Sequence, residues 1–285
     1  MAHVREAGQP ASPRRWIGGV LVRWLVAVAV SVALASVVGL LLRHALAGTA
    51  LVRLDEDLAR RLAAHRTATR DRLTLAGTSI AEPVPVAVLW ALAVVASYLW
   101  TRRVATAAFA LLAIGGEKLS YLLTTLVVRR PRPDVPPVGK VYVTSSFPSG
   151  HVGSAISTYG SIAVLVLFCV VTRQNRRRAG TAVAVVLVGA IATAVAVSRM
   201  YRGQHFLTDV VAGALLGVAW LAVTARLVGL PAPRGVADAP HPARARRAGD
   251  GAVTAPPGRP PRAPAGPGRR TSPVPARASH RARGA

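Results

Sequence analysis

The sequence contains little cysteine, lysine and acidic residue, and each shortage limits what the protein can be. Its single cysteine, Cys169, lies inside an apolar run, so no intrachain disulfide can form. Only 11 Asp and Glu residues stand against 36 Lys and Arg, giving a formal net charge of +25. In a water-soluble protein that balance would indicate nucleic-acid binding. Lysine occurs only at positions 118 and 140, and heavy use of arginine and alanine is typical of GC-rich bacterial genomes.

Long apolar runs are the dominant feature of the chain, which is 52% hydrophobic. Runs of roughly 18 or more apolar residues indicate helices that cross a bilayer. Six occur, at Trp24–Leu42, Pro83–Trp100, Val104–Val128, Val152–Val171, Ala179–Val197 and Val210–Val228. We therefore predict an all-α polytopic membrane protein built as a bundle of six transmembrane helices. A cleaved signal sequence is the alternative for the first run, which is long for a signal core.

Arginine clusters flank the predicted spans at alternate connections. They are Arg14 with Arg15, Arg102 with Arg103, Arg173 with Arg176 to Arg178, and the arginines beyond Leu230. The positive-inside rule then predicts that both termini are cytoplasmic, in what we expect to be a bacterial cell membrane. The basic charge is explained by topology, with attraction to anionic lipid as an addition, and no nucleic-acid partner is expected.

Composition divides the chain into three parts. Residues 1–15 form a polar N-terminal segment, residues 16–230 the membrane domain, and residues 231–285 a tail rich in Arg, Pro and Ala. The tail has too few large apolar residues to bury a core, so we predict that it is disordered.

A polar segment outside the cytoplasm joins the first two spans and contains a helical pattern. Leucines recur at positions 51, 54, 58 and 62, with Asp55, Asp57, Arg60 and Arg61 between them. This spacing predicts an amphipathic helix. It lies either on the outer surface of the bilayer or against the rest of the protein.

Three polar motifs carry the chemistry. Arg129-Arg130-Pro131-Arg132-Pro133 follows the third span, and Phe147-Pro148-Ser149-Gly150-His151 precedes the fourth. Ser198-Arg199, His205 and Asp209 lie between the fifth and sixth spans. Two spans separate the first pair of motifs from the third, so all emerge on one face, which is extracytoplasmic if the termini are cytoplasmic. We therefore expect them to converge on one pocket.

The residue types in these motifs suit a phosphate group. The guanidinium groups of Arg132 and Arg199 bind phosphate oxygens in pairs and neutralise their charge. The turn at Ser149 and Gly150 precedes a helix, so its N–H groups and the Ser149 hydroxyl point at an anion with the positive end of the helix dipole behind them. Gly150 also permits close backbone approach.

Two histidines and a carboxylate suit acid–base and nucleophilic catalysis. His205 and Asp209 are four residues apart, so on a helix they would share a face and form a hydrogen bond. Asp209 would then orient His205 for attack on phosphorus, while His151 protonates the leaving oxygen. A metal bound by the same three residues is the alternative, but the surrounding arginines would repel a cation. The nucleophilic mechanism with His205, Asp209 and His151 needs no metal or cofactor.

Taken together, the motifs resemble the three-part signature of the type 2 phosphatidic acid phosphatase superfamily, which also includes vanadium-dependent haloperoxidases. The resemblance covers roughly residues 51–230. It implies a six-helix membrane fold with a metal-independent site at the outer bilayer surface. The implied substrates are lipid phosphates or pyrophosphates, with His205 as nucleophile and His151 as proton donor.

The first motif departs from the family pattern. The family has a lysine seven residues before the Arg of Arg132-Pro133, where this chain has Thr125. Lys118 lies seven residues further back, about 10 Å deeper on the same helix. Arg129, Arg130 or Lys118 is therefore a candidate for the missing charge. Alternatively, Lys118 only compensates its neighbour Glu117 within the membrane.

Two alternatives to a phosphatase remain at this point. One is an enzyme of haloperoxidase type that holds vanadate in a similar pocket. The other is a transport-related or structural membrane protein of the same fold, since the first motif is incomplete. The spacing of motifs does not distinguish phosphatidic acid, phosphatidylglycerol phosphate, a polyprenyl pyrophosphate and a polyprenyl-linked sugar phosphate as substrates.

Overall fold

The computed structural model describes residues 13–141, 144–170 and 174–230. The predicted disordered tail and residues 1–12 lie outside this part of the chain. Within it, eight α-helices follow one another: α1 (Pro13–Leu40), α2 (Ala50–Ala64), α3 (Ala68–Ser79), α4 (Pro83–Thr101), α5 (Val104–Val128), α6 (Gly150–Val170), α7 (Gln174–Tyr201) and α8 (Leu207–Leu227). A π-helical segment, Leu41–Ala45, extends α1.

The six predicted spans are confirmed. Six helical lengths among the described residues are long and apolar enough to cross a membrane: Arg14–Ala45, Ala68–Thr101, Val104–Val128, Gly150–Cys169, Arg178–Tyr201 and Leu207–Leu227. Large apolar side chains such as Leu34, Val84 and Leu215 are exposed on their outer faces. This pattern is expected where the surrounding solvent is lipid.

Small residues bring the inner helices close together. α6 packs against α4, α5, α7 and α8. Gly217 on α8 faces the backbone of Gly153 on α6, and Gly213 faces the carbonyl of Ser149. A side chain at either α8 position would collide with α6, so glycine there allows the close backbone approach that is typical of membrane helix pairs. The Phe147–His151 motif at the start of α6 therefore lies directly against α8.

The amphipathic helix predicted around Leu51 is confirmed as α2, but its buried side is not the leucine stripe. Asp55 and Ala59 are the buried residues, whereas Leu51 and Leu54 are exposed. α2 contacts α7 and α8. The leucines border the buried face and remain available to lipid.

A second helix in the same segment, α3, was not predicted. Its sequence lacks an apolar periodicity, and it packs on α7 through small and polar residues such as Thr74 and Thr78. The hydroxyl of Thr67 caps it by accepting a hydrogen bond from the Arg70 N–H at 3.3 Å. α3 and α4 together form the second candidate span.

Helix ends differ from the predicted limits in ways that matter for the motifs. α1 already begins at Pro13, so its first turn overlaps the end of the polar segment delimited at residue 15. α7 continues to Tyr201 and α8 begins at Leu207, which places Arg199 on a helix and leaves a loop of only 202–206. Asp209 therefore lies in the first turn of α8.

Candidate active site

The three motifs converge at one end of the bundle, where α5 and α7 end and α4, α6 and α8 begin. A cavity of about 80 Å³ lies there. Its lining residues are Ala81, Pro83, Lys118, Tyr121, Arg132, Thr144, Gly150, His151, Arg199 and His205. The structure thus brings the two predicted histidines and both predicted phosphate-binding arginines to the wall of a single cavity.

His205 is held by a backbone carbonyl. Its Nδ1 lies 2.6 Å from the carbonyl oxygen of Ser146, and the side chain is buried. A carbonyl only accepts, so Nδ1 carries the proton and donates. The other ring nitrogen, Nε2, is therefore left with its lone pair. The carbonyl that selects this tautomer belongs to Ser146, directly before the Phe147–His151 motif, and the sequence did not indicate it.

The predicted direct hydrogen bond between His205 and Asp209 is not formed. Asp209 Oδ2 lies 3.8 Å from His205 Nδ1 and instead accepts a hydrogen bond from the Phe206 N–H at 2.8 Å. The reason is local: α8 begins only at Leu207, so His205 lies in the loop rather than one turn below Asp209. Asp209 acts on the imidazole as a nearby charge, while Ser146 orients it.

The pKa of His205 is lowered from its ordinary value of 6.5, chiefly because burial disfavours the charged ring. The positive charges of Arg199 and Arg132 lower it further, while Asp209 acts in the opposite direction. At neutral pH the imidazole is therefore uncharged, which is the form that can act as a nucleophile.

Arg199 and Arg132 approach the cavity from different elements. Arg199 is buried on the last turn of α7, and its Nη1 lies 3.4 Å from Thr78 Oγ1 on α3. Arg132 Nη1 donates to the Gln204 carbonyl at 2.5 Å, and its Nη2 donates to the Thr144 carbonyl at 3.2 Å. These bonds fix both guanidinium groups at the cavity wall. The unpredicted helix α3 therefore positions one of them.

Arg130 does not line this cavity. Its Nη1 donates to Asp209 Oδ1 at 2.7 Å, and its Nη2 donates to Asp55 Oδ2 at 3.0 Å. The guanidinium carbon also lies 4.4 Å from the centre of the Phe206 ring. Because two carboxylates hold it, Arg130 is not available to a substrate, and its candidate role as a phosphate ligand is corrected to one of support. Asp55 is a residue that sequence reasoning missed.

Arg130 also bears on the metal alternative of His151, His205 and Asp209. Both oxygens of Asp209 already accept hydrogen bonds, one from Arg130 and one from the Phe206 N–H. Among the described residues, no group of three or more His, Cys, Asp or Glu side chains is placed to hold a metal ion.

The turn before α6 contributes less than predicted. The Ser149 N–H donates to the Asp209 carbonyl at 2.9 Å, so it cannot also point at an anion. The Ser149 hydroxyl is buried and forms no hydrogen bond within the described part of the chain. Gly150 begins α6 and lines the cavity, and a side chain there would meet the ring of Tyr121. The end of the α6 dipole thus faces the cavity through Gly150.

Lys118 is the one of the three candidates for the missing motif lysine that reaches the cavity. Its ammonium donates a hydrogen bond to Ser154 Oγ and lies 4.0 Å from Glu117 Oε2. Thr125, Arg129 and Arg130 instead line a neighbouring cavity of about 500 Å³. Lys118 thus lies where both sequence interpretations put it, beside Glu117 and at the wall of the site.

His151 has an acidic neighbour that sequence reasoning also missed. Its Nε2 lies 3.4 Å from Glu82 Oε1, at the start of α4. Its position in the sequence could have indicated this, because Glu82 directly precedes Pro83 and the second apolar run. Counting spans places that end of the run on the same face as the motifs. A carboxylate at this distance can accept a hydrogen bond from the imidazole N–H.

Comparison with known proteins identifies a family for the membrane domain. Residues 105–231 match the family model of the PAP2 superfamily, which confirms the resemblance drawn from the motifs. The chain is similar to phosphatidylglycerophosphatase B of Bacillus subtilis (strain 168), with 34% identity over 109 residues. That match covers 38% of this chain and 51% of the relative, so the chain spans about half the length of that relative.

A solved structure shares the fold. The crystal structure of a transmembrane PAP2-type phosphatidylglycerolphosphate phosphatase from Bacillus subtilis superposes with a TM-score of 0.58 and 23% sequence identity. The superposition covers 68% of this chain and 94% of the other. The bundle of membrane helices is therefore a known architecture.

Proposed function

We propose that this chain, whose residues 105–231 match the family model of the PAP2 superfamily, is a membrane-embedded, metal-independent phosphatase of lipid phosphates or pyrophosphates. The observation that carries the proposal is the single small cavity lined by His151, His205, Arg132 and Arg199. Its volume of about 80 Å³ is well below the roughly 300 Å³ or more of pockets that enclose a drug-sized molecule. That space suits one phosphate group and leaves the lipid outside.

Substrate binding follows from the positive wall of the cavity. Arg132, Arg199 and Lys118 neutralise the phosphate oxygens, and the start of α6 at Gly150 adds the positive end of its dipole. Neutralised oxygens make phosphorus a better electrophile. Guanidinium groups held by the Gln204 and Thr144 carbonyls and by Thr78 need no reorganisation when charge develops.

In the first step His205 attacks phosphorus. Its Nε2 lone pair forms the N–P bond while the bond from phosphorus to the leaving oxygen breaks. His151 gives its proton to that oxygen, so the lipid leaves as a neutral alcohol or, from a pyrophosphate, as the monophosphate. The charge that develops on the His205 ring is offset by the Ser146 carbonyl and by Asp209.

In the second step water releases the phosphate. Neutral His151 takes a proton from a water molecule, whose oxygen bonds to phosphorus as the N–P bond breaks. Inorganic phosphate leaves, and both histidines return to their starting protonation states. Glu82 can accept a hydrogen bond from His151 when that ring carries its extra proton, before the first step and after the second.

The lipid nature of the substrate is inferred from where the cavity lies. The site is at one end of a bundle whose outer faces expose large apolar residues, which is the depth of lipid headgroups. The relative in Bacillus subtilis is named for phosphatidylglycerol phosphate. That lipid, phosphatidic acid, polyprenyl pyrophosphates and polyprenyl-linked sugar phosphates are the substrates to compare.

The test is phosphate release by the purified protein in detergent against these four lipid classes, with excess chelator present. We expect release from at least one class and none from His205→Ala. His65→Ala is the matched control, because His65 is exposed and its ring nitrogen lies 2.8 Å from the Arg61 carbonyl oxygen at the end of α2, away from the cavity. Denaturation in alkaline detergent should trap a base-stable, acid-labile phosphoryl group on the wild-type protein. Turnover by His205→Ala would contradict the nucleophile assignment.

The same preparation separates the remaining readings. Halide oxidation on addition of vanadate, without phosphate release, would favour a haloperoxidase. An intact protein that hydrolyses none of the four lipids would favour a transport-related or structural role. Loss of activity with chelator would contradict metal independence.

We place the site on the extracytoplasmic side, with both termini in the cytoplasm. The basic Arg102–Arg103 connection at the opposite end supports this. The α2–α3 segment at the site end is also rich in arginine, so labelling decides the side. In a Cys169→Ser background, an impermeant thiol reagent added to whole cells should label Thr69→Cys and not Arg103→Cys, since both positions are exposed. The reverse pattern would overturn the proposed topology.

A further inference from the structure

Asp55 has an environment unlike that of its neighbours on α2. The adjacent acids Glu56 and Asp57 are exposed, whereas the Asp55 side chain is 1% exposed. Its Oδ1 accepts a hydrogen bond from the Thr208 N–H at 3.1 Å, and its Oδ2 accepts from Thr208 Oγ1 at 2.5 Å. Thr208 lies in the first turn of α8, so a carboxylate from the amphipathic helix holds the N-terminus of the helix that carries Asp209.

Arg130 connects this carboxylate to Asp209. One of its terminal nitrogens donates to Asp55 Oδ2 and the other to Asp209 Oδ1. Stacking on Phe206 and a 2.7 Å hydrogen bond to Thr208 Oγ1 complete its surroundings. A planar guanidinium gripped at both ends has a fixed position. Asp209 is therefore positioned through Arg130 by a residue on α2.

The charges in this chain of contacts do not cancel. Two buried carboxylates share one guanidinium, so the group of Asp55, Arg130 and Asp209 carries one net negative charge. Asp209 Oδ2 directs that charge toward His205 Nδ1, 3.8 Å away. The other charged groups near this ring are Arg199 and Arg132, which are both positive. A ring that gains positive charge on phosphorylation therefore needs the excess negative charge.

We propose that Asp55 is a positioning residue for phosphoryl transfer, which makes α2 part of the active site. Asp55 holds Arg130 in place and balances its charge, so that the negative charge of Asp209 can stabilise the His205 imidazolium. If Asp55 were neutral, Arg130 would pair with Asp209 alone and quench the charge that His205 requires. The inference rests on the proposed function, since it concerns the same transfer step.

The experiment compares Asp55→Asn with Asp57→Asn. Asn at position 55 keeps the shape and the acceptor for the Thr208 N–H but removes the charge. Asp57 is exposed, lies on the same helix and pairs with Arg60, so it is a matched control. For each protein we would measure kcat and KM with the best lipid substrate, the melting temperature in detergent, and inhibition by inorganic phosphate and by orthovanadate. Orthovanadate adopts the five-coordinate geometry of the transfer step, whereas phosphate reports binding alone.

We expect Asp55→Asn to lower kcat by about 10- to 100-fold, the usual effect of losing a hydrogen bond between buried charged groups. KM and the inhibition constant for phosphate should each change by less than about threefold, because substrate binding is not affected. Inhibition by orthovanadate should weaken in step with kcat, and Asp57→Asn should resemble the wild type. Thr208→Val keeps the charge but removes the hydroxyl between Asp55 and Arg130. It should give a smaller fall in kcat and provides a second reading if Asp55→Asn does not fold.

Two results would overturn the inference. One is an Asp55→Asn enzyme with kcat within about twofold of the wild type. The other is a loss in which kcat, KM, phosphate inhibition and melting temperature all change together, in both Asp55→Asn and Thr208→Val, since a merely structural role predicts that pattern. A wild-type protein that releases no phosphate would instead overturn the proposed function, and this inference with it.

Discussion

Replacing Lys118 with methionine separates the two roles that its position allows. The ammonium lines the catalytic cavity, donates a hydrogen bond to Ser154 Oγ and lies 4.0 Å from the Glu117 carboxylate. Methionine retains most of the length of the side chain and its apolar stem but removes the charge. A phosphate ligand would be lost from the cavity, and Glu117 would be left buried without its neighbouring cation.

The two losses have different magnitudes and different observables. A hydrogen bond between a charged donor and a phosphate contributes about 1.5–3 kcal/mol, which corresponds to roughly a 10- to 150-fold fall in kcat/KM. Separately, removing one partner of a buried ion pair costs about 3–5 kcal/mol of stability. Lys118 is 31% exposed while Glu117 is 1% exposed, so solvent screening should bring the stability loss below that range.

Kinetics and thermal unfolding in detergent test both effects. Glu117→Gln combined with Lys118→Met should recover most of the stability, since neither charge remains, but none of the activity. Lys140→Met is the matched control, because Lys140 is the second of the two lysines and does not line the cavity. If Lys118→Met kept kcat/KM within about twofold of the wild type, Lys118 would only compensate Glu117, and the proposed binding role would be wrong.

Four further predictions use the same assays. Because burial lowers the pKa of His205 below 6.5, kcat/KM should begin to fall only at a pH below 6.5. Asp209→Asn removes a charge that raises this pKa, so in that variant the fall should occur at a still lower pH. For the same reason the folded protein binds fewer protons than the unfolded chain, so stability should fall as pH drops below 6.5, by at most about 1.4 kcal/mol per pH unit from this group. Glu82→Gln should lower kcat about tenfold for a lipid substrate but much less for an aryl phosphate, because the leaving oxygen of an aryl phosphate needs no proton. Equal losses with both substrates would show that Glu82 has no role in proton transfer. Gly213→Ala should destabilise the protein by about 1–3 kcal/mol and reduce activity, because its Cβ would collide with the Ser149 carbonyl, whereas Gly189→Ala, with nothing within 4 Å, should be neutral; equal effects at both sites would contradict the packing argument.

The parts of the site that could be predicted from sequence were those with a local signature. Apolar runs long enough to span a bilayer predict the six helices, because a helix satisfies all of its own backbone hydrogen bonds in lipid. His151, His205 and Arg199 lie next to span ends on the same face, so counting spans was enough to bring them together. No knowledge of packing was needed for that step.

The parts that could not be predicted depend on contacts between distant segments. Asp55 looked like one more polar residue on an amphipathic helix, and only its packing against α8 brings it to Arg130. Arg130 and Arg132 are two residues apart with the same chemistry, yet one lies between carboxylates and the other lines the cavity. Composition and spacing contain no information on this choice, because it is set by the direction in which each side chain leaves an irregular loop.

By itself, therefore, the sequence determined a helical membrane bundle with phosphate-handling groups gathered at one end, since hydrophobic length and span parity are properties of the chain alone. The tertiary structure decided which nitrogen of His205 is available. The Ser146 carbonyl oxygen lies 2.6 Å from Nδ1 and accepts the hydrogen bond from its N–H, which leaves Nε2 with its lone pair. The tertiary structure also decided that Lys118, and not Arg129 or Arg130, reaches the cavity. The physical reason is that hydrogen bonds and charge pairing act over a few ångströms, and those distances are fixed only when the helices pack.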